Sequence, residues 1–261
     1  MSFNKLQICT YFGLDPNEIN IDADKNTVSL SQNNLNILKY NILSKYNRHC
    51  ITYGDIYEHL PTLTNYAEKC DSIIELGVRG VVSSWAFIKG LMNSPHPNKR
   101  LVFNDITTCN TTEATLLASL VGINVKNIWK NDLDIDLTDL YFDLTFIDTW
   151  HVYGQLKREL KKYAPHTKKY IIIHDTTVDE WQGETIRRHF NPIKQSEETG
   201  IPIEEILKGL WPAVDEFLAE NKDEWVLHER YTNNNGLTIL KRISSNMDNS
   251  EVSAQSGGGA Q

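Results

Sequence analysis

A chain of 261 residues is long enough to bury a sizeable core and short for two full domains. Its 40% hydrophobic share is ordinary for a globular protein, and no apolar run approaches the ~20 residues of a membrane span. A net charge of −8 argues against a nucleic-acid partner, because phosphate binding needs a basic face; the richest basic stretch, Lys157 to Lys169, reads as the wet side of a helix.

The N-terminus, MSFNKLQICT, lacks the basic stretch and apolar core of a signal peptide, so a cytoplasmic location is the expectation. Cys9, Cys50, Cys70 and Cys109 are scattered, with no CxxC pair. That pattern disfavours zinc-ribbon and thioredoxin readings and fits reduced thiols. Residues 1–70 carry helical spacing at Leu35, Leu38, Ile42 and Leu43, and again at Ile56, Leu60 and Leu63 around Pro61. They read as a helical lead-in.

From Asp71 the pattern changes to βα alternation. Strands are expected at Ser72–Leu76, Leu101–Asn104, Asn124–Ile128, Leu144–Ile147 and Tyr170–Ile173. Helices are expected at Ser83–Met92, Thr111–Gly122 and Val152–Ala164. Asn110 and Glu113 have the spacing of a capping box. Almost wholly apolar strands in βαβ units imply a parallel sheet covered on both faces. Pro212 opens a helix to Asn221, after which Glu224–Tyr231 and Leu237–Arg242 flank Asn-Asn-Asn-Gly at 233–236, a hairpin signal. The expected fold is therefore α/β: a doubly wound, Rossmann-like, mostly parallel sheet of seven strands, with a C-terminal antiparallel hairpin. Residues 71–243 would form this domain, and the Ser/Asn/Gly-rich residues 244–261 a disordered tail.

Ligands of such sheets bind outside the carboxyl ends of the strands. After the first strand come Glu75, Gly77, Arg79, Gly80 and Ser83, a glycine-containing turn into a helix N-terminus that can receive a carboxylate or a phosphate. After the second comes Asp105, an acceptor for ribose hydroxyls or else a helix cap. After the fourth come Asp148 and His151, and after the fifth His174 and Asp175. Gathered at one edge, these groups could hold a divalent ion or form a hydrogen-bonded network without one.

These residues carry a resemblance. ELGVRG at 75–80, FIDTWHVYGQLKREL and KYIIIHDTT make residues 71–242 similar to class I S-adenosylmethionine-dependent methyltransferases. The branch they resemble includes cephalosporin-hydroxylase-like proteins and macrolide-sugar O-methyltransferases. The resemblance implies S-adenosylmethionine as cofactor and O-methylation of a small polar acceptor, a sugar or glycan. It implies Glu75, Gly77, Arg79, Gly80 and Ser83 around the methionine part, Asp105 at the ribose and Asp132 near the adenine. Asp148, His174 and Asp175 fall on metal positions for Mg²⁺ or Mn²⁺, and His151 stands where a catalytic base is found, with Asp148 beside it. Two departures stand out: Val81 and Val82 follow Gly80 in place of a third glycine, and His174 replaces an acidic ligand.

Two other classes use some of the same features. A nicotinamide-dependent dehydrogenase shares the strand, glycine turn and acidic residue, but its GxGxxG is absent and the acidic cluster has no role in it. A non-catalytic S-adenosylmethionine-binding module would keep the fold without needing His151. Trp150, Trp181 and Trp211 could stack on a sugar or pack in the core. No membrane partner is implied, and a homo-oligomer is compatible with the sequence.

Overall fold

The computed structural model describes residues 5–22 and 27–244. It opens with α1 (Lys5–Phe12), a small antiparallel pair β1 (Ile19–Asp22) and β2 (Thr27–Leu30), α2 (Gln32–Ile51) and α3 (Leu60–Ala67). Then follow β3 (Ser72–Leu76), α4 (Ser83–Asn93), β4 (Lys99–Asp105), α5 (Thr112–Leu120), β5 (Ile123–Trp129), β6 (Phe142–Ile147), α6 (Tyr153–Tyr163) and β7 (Thr167–His174). Three short helices, α7 (Glu184–Arg187), α8 (Pro192–Thr199) and α9 (Ile203–Leu207), precede α10 (Trp211–Glu220), β8 (Trp225–Tyr231) and β9 (Leu237–Arg242).

The main sheet has seven strands in the order β5-β4-β3-β6-β7-β9-β8. β5, β4, β3, β6 and β7 are parallel; β9 is antiparallel to both β7 and β8. The expected Rossmann-like sheet and its terminal hairpin are both present. The chain order reverses direction at β3, so the carboxyl ends of β3, β4 and β6 frame the natural crevice.

Successive strand residues point to opposite faces, and the two cores follow from that alternation. Ile73, Leu101, Phe103, Leu144, Phe146 and Ile172 face one core, shared with Phe87, Leu91 and Leu117. Ile74, Leu76, Val102, Ile147, Ile171 and Ile173 face the other, shared with Leu156, Leu160, Val214 and Phe217. The N-terminal helices belong to the first core: Phe12, Leu38, Ile42, Leu60 and Leu63 are all buried in it. On α2 the buried stripe runs Asn34, Leu38, Ile42, Tyr46, one residue per turn.

Local departures have local causes. Pro61 does not interrupt a helix; it occupies the first turn of α3, where its missing N–H costs nothing. The capping box at Asn110 and Glu113 does not form. Asn110 only accepts from the Thr112 N–H at 3.4 Å, while Glu113 is drawn to Lys45 at 2.7 Å. The sequence carried no expectation for β1–β2 or for α7–α9. Of the tail expected to be disordered, residues 245–261 lie outside the described residues. No described helix is long and apolar enough to cross a membrane.

Candidate active site

A cleft of about 920 Å³ opens at the carboxyl ends of β3, β4 and β6. Its walls include Gly77, Arg79, Gly80, Ser83, Asp105, Asp132, Asp148, His151 and Asp175. Nine of the residues singled out from sequence are thus brought to one cavity. Glu75 and His174 are not on its walls.

The floor is laced by main-chain bonds between strand tips: Gly77 N–H donates to Asn104 O and Asp148 N–H to Leu76 O, both at 2.9 Å. Gly77 has φ +89°, and a Cβ there would sit 1.8 Å from the Asp148 carbonyl oxygen. Glycine is therefore required by the neighbouring strand, rather than by a ligand. Gly80 has open space; the nearest atom to a Cβ would be Val82 Cγ2 at 3.7 Å. The place of the missing third glycine is taken by Val81 at φ +59°, with Arg79 at +37°. A β-branched residue in the left-handed region is strained.

Glu75 lies fully buried beneath this loop, where its carboxylate accepts from the hydroxyls of Ser83 and of Ser84, the latter at 2.7 Å. Burial pushes its pKa up to about 8, against the opposing pull of the two hydroxyls. Its visible task is to moor the start of α4 to β3. Asp105 accepts from Arg79 N–H at 2.9 Å, and from Thr107 N–H and Oγ1 at 3.0 Å. Burial disfavours its charge, but these bonds hold its pKa below the ordinary value. It thus shapes the glycine turn while remaining on the cleft wall.

Asp132 follows β5 and is nearly buried; Gln155 Nε2 donates to its Oδ1 at 3.1 Å. Behind it lies Glu159, fully buried, which takes bonds from Thr149 Oγ1 at 2.5 Å and Gln155 Nε2 at 2.9 Å. Burial raises both acids, and Glu159 further through the Asp132 charge beside it. Asp132 Oδ2 and Glu159 Oε2 are buried with no other hydrogen-bond partner, and a proton shared by the two acids would satisfy both.

The most concentrated chemistry surrounds His151. Its Nε2 lies 3.2 Å from Asp148 Oδ1, and its Nδ1 lies 2.9 Å from Asp175 Oδ2 and 3.2 Å from Asp179 Oδ2. Glu184 is 3.6 Å away. Burial works against a charged ring, yet the bonds from Asp148, Asp175 and Asp179 outweigh it and raise the pKa well above the usual imidazole value. The fold surrounds this candidate base with acids. Asp179 and Glu184 went unnoticed, although Asp179 follows Asp175 by four residues. Asp179 is buried and clamped by Arg187 through bonds of 2.7 and 2.6 Å.

His174 is 1% exposed. Its Nε2 is 3.3 Å from the Asn234 carbonyl oxygen, and its Nδ1 is 3.4 Å from Asp148 Oδ1. Despite burial, Asp148 and Asp175 push its pKa up to about 9. Asp148, His174 and Asp175 have ligand-type atoms within 4.8 Å of one another. Two further observations bear on a cation there: Asp175 Oδ1 is buried without a hydrogen-bond donor, and Asp175 is held at φ +59°. With Nε2–H given to Asn234, Nδ1 is the atom left facing the carboxylates, as metal ligation requires. The donor set fits a divalent ion. Of the three tryptophans considered for sugar stacking, Trp150 lines the cleft, Trp181 is exposed outside it and Trp211 lies under the Arg230 guanidinium.

No family model and no curated protein matches the chain. Solved structures do. The O-methyltransferase TomG from Streptomyces achromogenes, in complex with SAM, superposes with a TM-score of 0.49 at 13% identity, over 79% of this chain and 90% of that one. The SAH-bound methyltransferase PaMTH1 from Podospora anserina gives 0.49 at 16% identity, over 94% and 98%. An O-methyltransferase from Bacillus cereus in complex with SAH gives 0.48 at 13%, over 79% and 90%.

Proposed function

We propose that this protein is an S-adenosylmethionine-dependent O-methyltransferase. The observation that carries the reading is the charge of the cleft at the sheet's switch point. Its walls hold Asp55, Asp105, Asp132, Asp148, Asp175 and Glu184. The arginines beside them are already paired: Arg79 with Asp55, Arg187 with Asp179 and Arg188 with Glu184. The raised pKa values of His151 and His174 and the proton shared by Asp132 and Glu159 offset part of this acidity. Among the described residues, however, no unpaired cation lines the cleft to receive the pyrophosphate of a nicotinamide dinucleotide, and Asp105 stays ionised on its wall.

Methyl transfer from a sulfonium is an in-line displacement, so the protein must align an acceptor oxygen and remove its proton. In this reading the turn at Gly77–Ser83 seats the methionine part, Asp105 the ribose and Asp132 the adenine end. Asp148 and His151 face the acceptor. His151 takes a proton only when the charge of its surrounding carboxylates is offset. Asp148, His174 and Asp175 would hold a divalent ion, Mg²⁺ or Mn²⁺, which when bound supplies charge compensation and lowers the pKa of a hydroxyl. The acceptor belongs to small polyols or sugars; Trp150 stands at the cleft wall, partly packed against the cluster of Val152, Ile201 and Ile206. Residues 71–243 would form the methyltransferase domain and residues 1–70 its lead-in.

The test is calorimetry with S-adenosylhomocysteine, followed by an assay for that by-product with sugars, nucleotide sugars and catechols, with and without chelator. Micromolar binding, roughly −8 kcal/mol, is expected. Binding of NAD with none of S-adenosylhomocysteine would reverse the reading in favour of a dehydrogenase. Binding without turnover on any acceptor would favour a binding module.

A further inference from the structure

The hairpin turn between β8 and β9 does more than end the sheet. Between α2 and α3, residues 52–59 form a strap, and two of its residues, Asp55 and the buried Ile56, line the cleft. At the strap's tip, Asp55 pairs with Arg79 of the glycine turn at 2.5 Å. The strap is held from behind by the hairpin. Asn234 Oδ1 accepts from Glu58 N–H at 3.0 Å, and Asn234 Nδ2 donates to Gly54 O at 2.8 Å. Asn233 adds two contacts: its carbonyl lies 3.0 Å from His59 Nε2, and its Nδ2 donates to Glu58 at 2.5 Å. The other side of the same turn reaches the catalytic cluster. The Asn234 carbonyl lies 3.3 Å from His174 Nε2, and the Asn235 carbonyl accepts from Thr177 N–H and Val178 N–H at 2.8 and 3.0 Å. Asn234 adopts φ +44°, a left-handed conformation that asparagine tolerates better than most residues.

We propose that Asn234 is a positioning residue: its side chain fixes the strap over the cofactor end of the cleft while its main-chain oxygen sets His174 against Asp148. One residue thereby ties the seating of a ligand under the strap to the alignment of the carboxylate–histidine cluster. A turn that merely joined two strands would need neither side-chain bond to residues 54 and 58. The inference rests on the cleft being the S-adenosylmethionine site.

The discriminating variant is Asn234→Gly. Glycine accepts the left-handed backbone and keeps the main-chain oxygen, but it removes both strap bonds. Amide exchange of residues 53–58 in the free protein should accelerate, and S-adenosylhomocysteine affinity should fall about tenfold, the scale of one or two hydrogen bonds. The His174 ring resonance should shift when S-adenosylhomocysteine binds the wild type and respond much less in the variant, an effect that general destabilisation does not produce. Asn234→Asp keeps the acceptor for Glu58 N–H and loses the donor to Gly54. It should fall between the two, and it serves as the test if the glycine variant does not fold. Unchanged strap exchange and affinity, or an undiminished His174 response, overturns the proposal. Failure of the wild type to bind S-adenosylhomocysteine defeats the functional reading instead, and strap exchange in the free proteins still reports on the clasp.

Discussion

Single positions in this cleft separate residues that shape it from residues free to touch a ligand. A Cβ at Gly77 would collide with the Asp148 carbonyl, so Gly77→Ala must push β3 and the β6 loop apart. Gly80→Ala meets only ordinary contacts. Gly77→Ala should therefore lose several kcal/mol of stability or fail to fold, as expected for a strained site, whereas Gly80→Ala should stay within ~1 kcal/mol. Thermal denaturation of the two side by side checks this, and equal melting points would contradict the close approach. His151 makes a second case. If it handles the acceptor proton, His151→Ala should lower kcat by ~10²–10⁴ with little change in S-adenosylhomocysteine affinity. His151→Gln should rescue little, since an amide hydrogen-bonds but cannot accept the proton. Near-normal single-turnover rates in a destabilised His151→Ala protein would leave the ring as mere ballast among Asp148, Asp175 and Asp179.

At the scale of elements, α2 is fixed by a stripe that the sequence displayed only in part. Leu38 and Ile42 are fully buried, but the stripe is completed by Asn34 and Tyr46, whose polar atoms hid its length. Asn34 is accommodated because its side chain both accepts from Asp15 N–H and donates to Asp15 O, each at 2.9 Å. Leu38→Ala should cost ~2–5 kcal/mol, as for any large-to-small change in a core, and it should loosen α4, which packs against α2. A denaturant midpoint within error of wild type would mean that α2 is peripheral. The sheet itself was legible because short, almost wholly apolar runs rich in β-branched residues alternate with helical stretches, as strands buried on both faces must. Ser72–Leu76 and Leu237–Arg242 have the expected bounds, β8 starts one residue later than expected, at Trp225, and β4 to β7 extend one to three residues further at one or both ends. The segment α7–α9 was not legible. Its helices are short and largely exposed, and they are held by contacts such as Arg158 to Glu205 at 2.6 Å that no local pattern announces. The candidate site was legible where strand ends deliver its residues. Glu184 comes from that unread segment and Asp179 from the loop before it, and Glu75 lies beneath the turn and not on the cleft wall, because a motif position does not reveal which way a side chain points.

Over the whole molecule, acids outnumber bases, and much of that excess is gathered at one edge of the sheet, where burial changes how it titrates. Glu75 gives the clearest consequence for stability. Its ordinary pKa of 4.5 describes the unfolded chain, and burial raises the folded value to about 8. Between those values the folded protein retains a proton that the unfolded chain has lost. The folded state thus binds more protons, and stability contributed by this group declines as pH rises, by up to about 1.4 kcal/mol per pH unit. Below about pH 4.5 both states are protonated, and above about pH 8 both are ionised, so the slope vanishes at each end. Asp148 and Asp105 have lowered values and contribute in the opposite sense at lower pH, so the wild-type curve alone is a mixture. Glu75→Gln isolates the effect. The amide is nearly isosteric, stays neutral at every pH and keeps both contacts: its carbonyl oxygen accepts from one serine hydroxyl while its NH2 donates to the other. Relative to wild type, the variant should gain stability progressively from pH 5 to pH 8. Urea denaturation of both proteins across that range measures the difference directly. A constant offset between the two curves would mean that Glu75 ionises at its ordinary pKa, and the mooring of α4 to β3 would then run through a carboxylate that is charged throughout.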